Sequence, residues 1–481
     1  MGRKYVIFGL VALALLMSSI DSTIVAVALP AMRADLHTDI ALIGWTITAY
    51  QLGTLLVMPL AGKLSDELGR KRVFLAAVGL FTLSSFLCGF APNVYLLIVF
   101  RILQAIGGGA FLPSCTGIVA DTFAERRGQA IGLFSSIFPI GGIIGPNLGG
   151  VIVDTLSWRF VFYVNVPIGL AVIALTWLLY HPQQQRAARM AIDFLGVMLY
   201  GAAISTVLVS LTWVGDHPHT VTHAPLLWAA LAGAALLFAI WYRHERRTEE
   251  PMIDTTLLHY RPFLAANTYN FLFGAGVFGF TAFLPLYAEL RYHMSATEAG
   301  ALLTPRAVVM IITSTVASLY IIRLGYRLPM ILGICAISLS LMLASLGTEN
   351  VHLFGVAVPN FVYLAAVVAL MGLGFGLSAP ASNNAALDLI PGKVAAVTGI
   401  RGMFRQTGGT LGTALVVVIT SLFSDEARGL QVVFFGLAWV ILLIIPVVFL
   451  IPDSAHARRK GQPVEAFTAE PTPRETVVAG H

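Results

Sequence analysis

Two ionisable residues stand inside long apolar runs: Asp21 in "LALLMSSIDSTIVAVALP" and Arg101 in "VYLLIVFRILQAIGGGAFLP". A charge in such surroundings is costly and is placed where it meets a cavity or an opposite charge. At the helical rise Asp21 lies ~24 Å from the start of its run and Arg101 ~9 Å from the start of its own, entered from the other side. Across a ~30 Å hydrocarbon layer these depths nearly coincide. Desolvation favours the neutral acid and a nearby guanidinium favours the carboxylate, so a change in water access could move a proton on or off Asp21. Proton binding coupled to movement is the chemistry this predicts, with a static ion pair as the alternative reading. In the second half of the chain, Glu289 and Arg306 form a similar set. Snorkelling of Glu289 to the membrane surface is the competing account.

The elements that must position these residues follow from composition. Hydrophobic residues are 57% of the 481 and charged residues 11%, and the mean hydropathy is +0.84. Apolar runs of ~20 residues recur from Tyr5 to Leu450, each long enough to cross a bilayer as a helix, whereas a β-barrel would show ~10-residue alternating segments. The expected fold is an all-α integral membrane protein of fourteen spans. The expected organisation is a six-helix bundle over 1–180, two inserted helices and a cytoplasmic linker over 181–262, a second six-helix bundle over 263–452, and a disordered cytoplasmic tail over 453–481.

Lys and Arg sit in the breaks between spans. Alternate breaks and the two ends carry twenty of them, while the intervening breaks hold Arg33, Arg159, Arg291 and Arg428. Basic residues are retained on the cytoplasmic side, so both termini are expected there. A scattered basic charge argues against a nucleic-acid partner despite the pI of about 9.1. The first thirty residues begin like a signal peptide, but the run continues to Pro30 and carries Asp21, which marks a retained span. Cys88, Cys115 and Cys335 fall inside spans and are expected to be small core residues. His217, His219 and His223 in "GDHPHTVTH" read as a solvated loop, and no metal is assigned.

Two motifs suggest movement. "AGKLSDELGRKR" (61–72) combines Gly62, Asp66, Gly69 and Arg70, a spacing suited to a turn with positive φ at Gly69 and a latch built on Asp66. "SLYIIRLGYRLPM" (318–330) echoes it weakly, aligning Gly325 with Gly69. In "GGIIGPNLGG" (141–150), Gly141, Gly145 and Gly149 share one helix stripe, beside Gly150, and Pro146 removes a backbone bond. Such a stripe lets helices approach closely and slide.

The loop at 61–72 resembles the signature loop of the major facilitator superfamily. "RILQAIGGGA" (101–110) is similar to that family's span 4 motif, with Ala105 where glycine is usual, and "GGIIGPNLGG" to its span 5 antiporter motif. "IDSTIVAVALP" (20–30), "WRFVFYVNVPIG" (158–169) and "RQTGGTLGTA" (405–414) resemble stretches of the fourteen-span drug:proton antiporters. The resemblance implies the major facilitator fold and an inner-membrane, proton-coupled exporter of amphipathic organic compounds, not an enzyme. Proton coupling is expected at Asp21, Arg101 and Glu289, and the substrate cavity near Gln104, Arg306, Arg405 and Gln406; the resembled family more often carries glutamine and an uncharged residue at the places of Glu289 and Arg306. Protons are the coupling ion and no cofactor is implied. The expected transport unit is a monomer in contact with lipid and a small amphipathic substrate; a periplasmic adaptor and an outer-membrane channel, which some members use, stay open as partners. An uptake symporter or facilitator on the same fold is the alternative, followed by a polytopic enzyme, for which no catalytic cluster is found. No Walker A pattern occurs, so ATP is not the expected direct energy source. The embedded arginines outnumber the embedded acids, which favours neutral, zwitterionic or anionic substrates.

Overall fold

The computed structural model describes residues 2–123, 130, 134, 137–180, 193–216, 225–248, 255–349, 352–353, 356–390 and 394–453. Apart from a small antiparallel hairpin, β1 (His352–Leu353) against β2 (Val356–Ala357), the regular elements are helices. The first half holds α1 (Gly2–Asp35), α2 (Ile40–Leu68), α3 (Arg70–Gly89), α4 (Val94–Gly109), α5 (Phe111–Thr122), α6 (Ile137–Thr155), α7 (Phe160–Tyr163) and α8 (Asn165–Leu179). Two helices, α9 (Phe194–Asp216) and α10 (Pro225–Glu245), pack on each other and are followed by a short α11 (Thr255–His259). The second half holds α12 (Arg261–Tyr292), α13 (Ala296–Ala301), α14 (Leu303–Leu324), α15 (Arg327–Ser345), α16 (Asn360–Leu389), α17 (Val394–Ser421), α18 (Glu426–Leu442) and α19 (Ile444–Phe449). Against the fourteen spans expected, twelve helical stretches among the described residues are long and apolar enough to cross a membrane.

Helices dominate because a backbone in hydrocarbon must satisfy its own hydrogen bonds. Polar caps set where several of them start: Asp39 accepts from the Leu42 amide at 2.7 Å, Asn93 from Leu96 at 2.9 Å, and Ser295 and Glu298 form a reciprocal capping box. Side-chain placement on α4 is inverted relative to a soluble protein. Tyr95, Val99, Ile102 and Ile106 point outward, while Arg101 and Gln104 are buried. Lipid takes the apolar face and protein takes the polar one.

Loops alternate between two faces. At one, Arg70 pairs with Asp121 at 3.1 Å, Lys71 donates to the Tyr180 carbonyl, and Asp453 accepts from the Tyr326 amide at 2.8 Å; each of these contacts stays within one half. At the opposite face the halves are bridged. Arg33 pairs with Glu426, Asp154 accepts from the Thr297 amide at 2.8 Å, and Asn147 donates to Thr304 Oγ1 at 2.6 Å. The seam is built by α6 on α13 and α14, α2 on α17, and α1 on α12, while α9 packs on both α2 and α17.

Candidate functional site

Asp21 and Arg101 meet inside the first half, Oδ2 accepting from Nη1 at 2.8 Å, with exposures of 0% and 1%. The cluster is larger than a pair. Gln104, one turn beyond Arg101 on α4, donates to Asp21 Oδ1 at 2.8 Å and accepts from Arg101 at 2.6 Å. Asn165 at the start of α8 donates to the same Oδ1 at 2.9 Å and to Ser85 Oγ of α3 at 2.9 Å. Arg101 Nε donates to the Thr46 carbonyl at 3.1 Å, and its guanidinium lies 4.0 Å from the centre of the Tyr50 ring. Five helices therefore contribute to one enclosed polar knot. The carboxyl is shut off from solvent in this arrangement, so exchanging its proton with water requires those helices to move.

From the sequence Gln104 is expected at the substrate cavity; instead it is fully buried and holds Asp21. An amide this close to a buried carboxylate and guanidinium is worth more as their hydrogen-bond partner than as a cavity wall. Sequence reasoning misses Ser85, Thr46, Tyr50 and Asn165 as site residues. The signal for Asn165 is a polar side chain between apolar neighbours in "VFYVNVPIG".

The small-residue stripe of α6 lies against the turn of α1 that carries Asp21. A Cβ at Gly141 would strike Ser19, one at Gly145 would strike Thr23 and come within 2.9 Å of the Ile20 carbonyl, and one at Gly149 would come within 2.6 Å of Ile24. The far side of α6 meets the other half. A Cβ at Gly150 would lie 2.6 Å from both the Ala296 carbonyl and Thr297 Cα, and Gly300 abuts the Pro146 carbonyl. One helix thus touches both the Asp21 helix and the seam between halves.

At 61–72, Gly69 has φ +94° and separates α2 from α3; Gly325 in the echo has φ +75°. Both conformations favour glycine. Arg70 holds Asp121, as above. The surroundings of Gly62 and the side chain of Asp66 lie outside the described residues, as do 217–224 with their three histidines and the tail from 454 onward.

In the second half, Glu289 is half-buried near the bridged end of α12, and Arg306 is half-buried on α14 with its guanidinium 5.8 Å from the Phe375 ring centre. Depth in the sequence suggests a set, but among the described residues no ion pair joins the two. They sit on different helices, α12 and α14, and helix rotation rather than depth decides this. Arg405 is exposed and Gln406 half-buried on α17. One turn before Arg405 lies Arg401, a further embedded arginine, 7% exposed and bonded to Asn383 at 2.6 Å, Ser382 at 2.9 Å and Asn270 at 3.3 Å. Its signal is an arginine inside a span. Cys335, expected in the core, is exposed, while Cys88 and Cys115 are buried.

The sequence model described as Major Facilitator Superfamily matches residues 11–358 and 266–479. The chain belongs to the major facilitator superfamily. This major facilitator protein is 33% identical over 417 residues to the Multidrug resistance protein B homolog of Mycobacterium tuberculosis (strain ATCC 25618 / H37Rv), covering 85% of this chain and 75% of that one. It is 32% identical to Multidrug resistance protein 3 of Bacillus subtilis (strain 168), over 88% and 81% of the two chains. The Tetracenomycin C resistance and export protein of Streptomyces glaucescens is 28% identical over 87% of this chain and 76% of its own. Among solved structures, a bacterial homolog of the human lysosomal transporter Spinster, inward-facing and unoccupied, superposes with TM-score 0.68 at 15% identity, over 97% of this chain and 100% of that one. That match speaks to fold alone. The protein is a multi-pass membrane transporter related to multidrug resistance and export proteins.

Proposed function

We propose that this chain is a proton-coupled antiporter that exports amphipathic organic compounds by alternating access, on a fourteen-span form of the fold. Support for the span count comes from α6 and α17, helices of 19 and 28 residues packed inside the bundle beside the twelve. Both termini are read as cytoplasmic from the distribution of Lys and Arg, in an inner membrane. On that orientation the bridged face is the outer one, and the present arrangement is the outward-closed state.

The observation that carries the reading is the enclosed Asp21 knot with α6 behind it. Protonating Asp21 removes the charge that Arg101 and two amides hold, which loosens α1 from α4 and α8. Because α1 rests on the glycine stripe of α6, and α6 rests on α13, a shift of α1 reaches the seam. In the outward-open state Asp21 takes its proton from the outer side as substrate leaves, and the protonated carrier returns to the outward-closed state, where the proton is lost to the cytoplasm and the knot re-forms.

Asp21→Asn in proteoliposomes tests this. The variant is expected to lose accumulation driven by a pH gradient while still exchanging substrate without one. If it concentrates substrate against its gradient as the wild type does, Asp21 does not carry the coupled proton, and Glu289 is the next candidate. A facilitator would show no dependence on the gradient in either protein.

A further inference from the structure

We propose that Arg306, Arg401 and Arg405, with the rings of Tyr269, Phe273 and Phe375, form a binding site for aromatic organic anions, carboxylates above all. The rings run in sequence between two of the arginines. Arg306 lies over Phe375, the Phe375 and Phe273 centroids are 5.3 Å apart, and Phe273 stacks on Tyr269 at 5.6 Å with 15° between planes. Beside Tyr269, Asn270 bonds Arg401, and Arg405 follows one turn later on α17.

Charge in the two halves is treated differently. Arg101 has Asp21, whereas among the described residues none of Arg306, Arg401 and Arg405 forms an ion pair. The bonds to Arg401 come from neutral partners, two amides and a hydroxyl, and its Nε and that of Arg306 are buried with no hydrogen-bond partner. A buried guanidinium without an anion is expensive, and each of these retains unused donors in a fixed planar fork suited to a carboxylate. Arg405 is exposed in the middle of a 28-residue helix that packs on α2, α9 and α12. A charge at that depth is placed toward a water-filled cavity rather than lipid. Phe375, half-buried, supplies the apolar stacking face for the body of the ligand, and Phe273 and Tyr269, 3% and 1% exposed, back it from behind. A cavity of about 560 Å³ bounded by Arg291, Tyr292, Glu349 and Gln431 shares no lining residue with this set and contains acids, so it does not compete for the assignment.

The inference rests on the antiporter reading only in taking this site to be where substrate binds. Its test is equilibrium binding of radiolabelled 1-naphthaleneacetate to the purified full-length protein in nanodiscs, with the neutral 1-naphthaleneacetamide and the cationic 1-naphthylmethylammonium as competitors. The carboxylate is expected to bind roughly tenfold or more tighter than the amide, as one charge-assisted hydrogen bond allows, with the cation weakest. Arg405→Gln and Arg401→Gln should each weaken the carboxylate by about tenfold and the amide much less, and Arg405→Lys should weaken it less than Arg405→Gln. Arg405 makes no hydrogen bond to lose among the described residues, so its variants decide the matter if Arg401→Gln does not fold. Equal binding of the three ligands, or wild-type affinity for naphthaleneacetate in monodisperse Arg405→Gln, overturns the proposal. The same preparation, assayed for pH-gradient-driven export of a mixed panel, separates the two readings. Export without anion preference removes this site and leaves the antiporter; anion binding without gradient-driven export removes the antiporter and leaves the site.

Discussion

Gly150→Ala places one methyl group against the backbone of the other half. Its Cβ would stand 2.6 Å from the Ala296 carbonyl and from Thr297 Cα, and 2.9 Å from the Thr297 amide nitrogen. These are backbone atoms of a capped helix start, so no side chain can swing away; α13 must retreat from α6. Overpacking of this kind costs about 1–3 kcal/mol. The gain in helix propensity from Gly to Ala is present whether the seam is closed or open, so it cancels from the ratio of the two states. The open population at the bridged face should therefore rise by roughly 5-fold to 150-fold. Gly142 is the control, since a Cβ there meets nothing within 4 Å. Spin labels at Leu156 and Leu346, exposed by 63% and 67% and carried by different halves at the bridged face, report the separation by electron-electron resonance in a Cys335→Ser background. Gly150→Ala should gain a long-distance component and Gly142→Ala should match the parent. Identical distance distributions for both variants would show that α6 and α13 do not form the gate.

Tyr200 OH and Thr407 Oγ1 share a buried hydrogen bond of 2.7 Å between α9 and α17. Tyr200→Phe and Thr407→Val should each cost about 1 kcal/mol in thermal unfolding, and the double variant should fall short of their sum, since both remove one interaction; strict additivity would refute the contact. Arg70→Gln breaks a pair whose side chains are 19% and 30% exposed, so its unfolding free energy should fall by about 1 kcal/mol or less; a large drop would mean Arg70 is structural. Maleimide should modify Cys88 and Cys115 only after denaturation. Ready labelling of either buried thiol in the native state would contradict the packing of α3 and α5.

Depth and order are legible in the amino-acid sequence alone. Helical rise fixes how far Asp21 and Arg101 lie into their runs, hydropathy fixes which segments are helical, and glycine at 69 fixes a turn because few other residues tolerate its φ of +94°. Spacing also shows that Gly141, Gly145 and Gly149 share a stripe. What a one-dimensional pattern lacks is rotation about each helix axis and the identity of the neighbour. Almost any face of an apolar helix can face lipid, so hydropathy does not say that Gln104 turns inward to Asp21, that Cys335 turns outward, or that Glu289 and Arg306 go separate ways. Those choices are made where polar groups from different helices must satisfy one another out of water, as Asn165, Ser85 and Thr46 do around Arg101 and Asp21. The same holds for the stripe on α6. Its small residues permit close approach, but only packing decides that one side meets the turn carrying Asp21 and the other meets the opposite half.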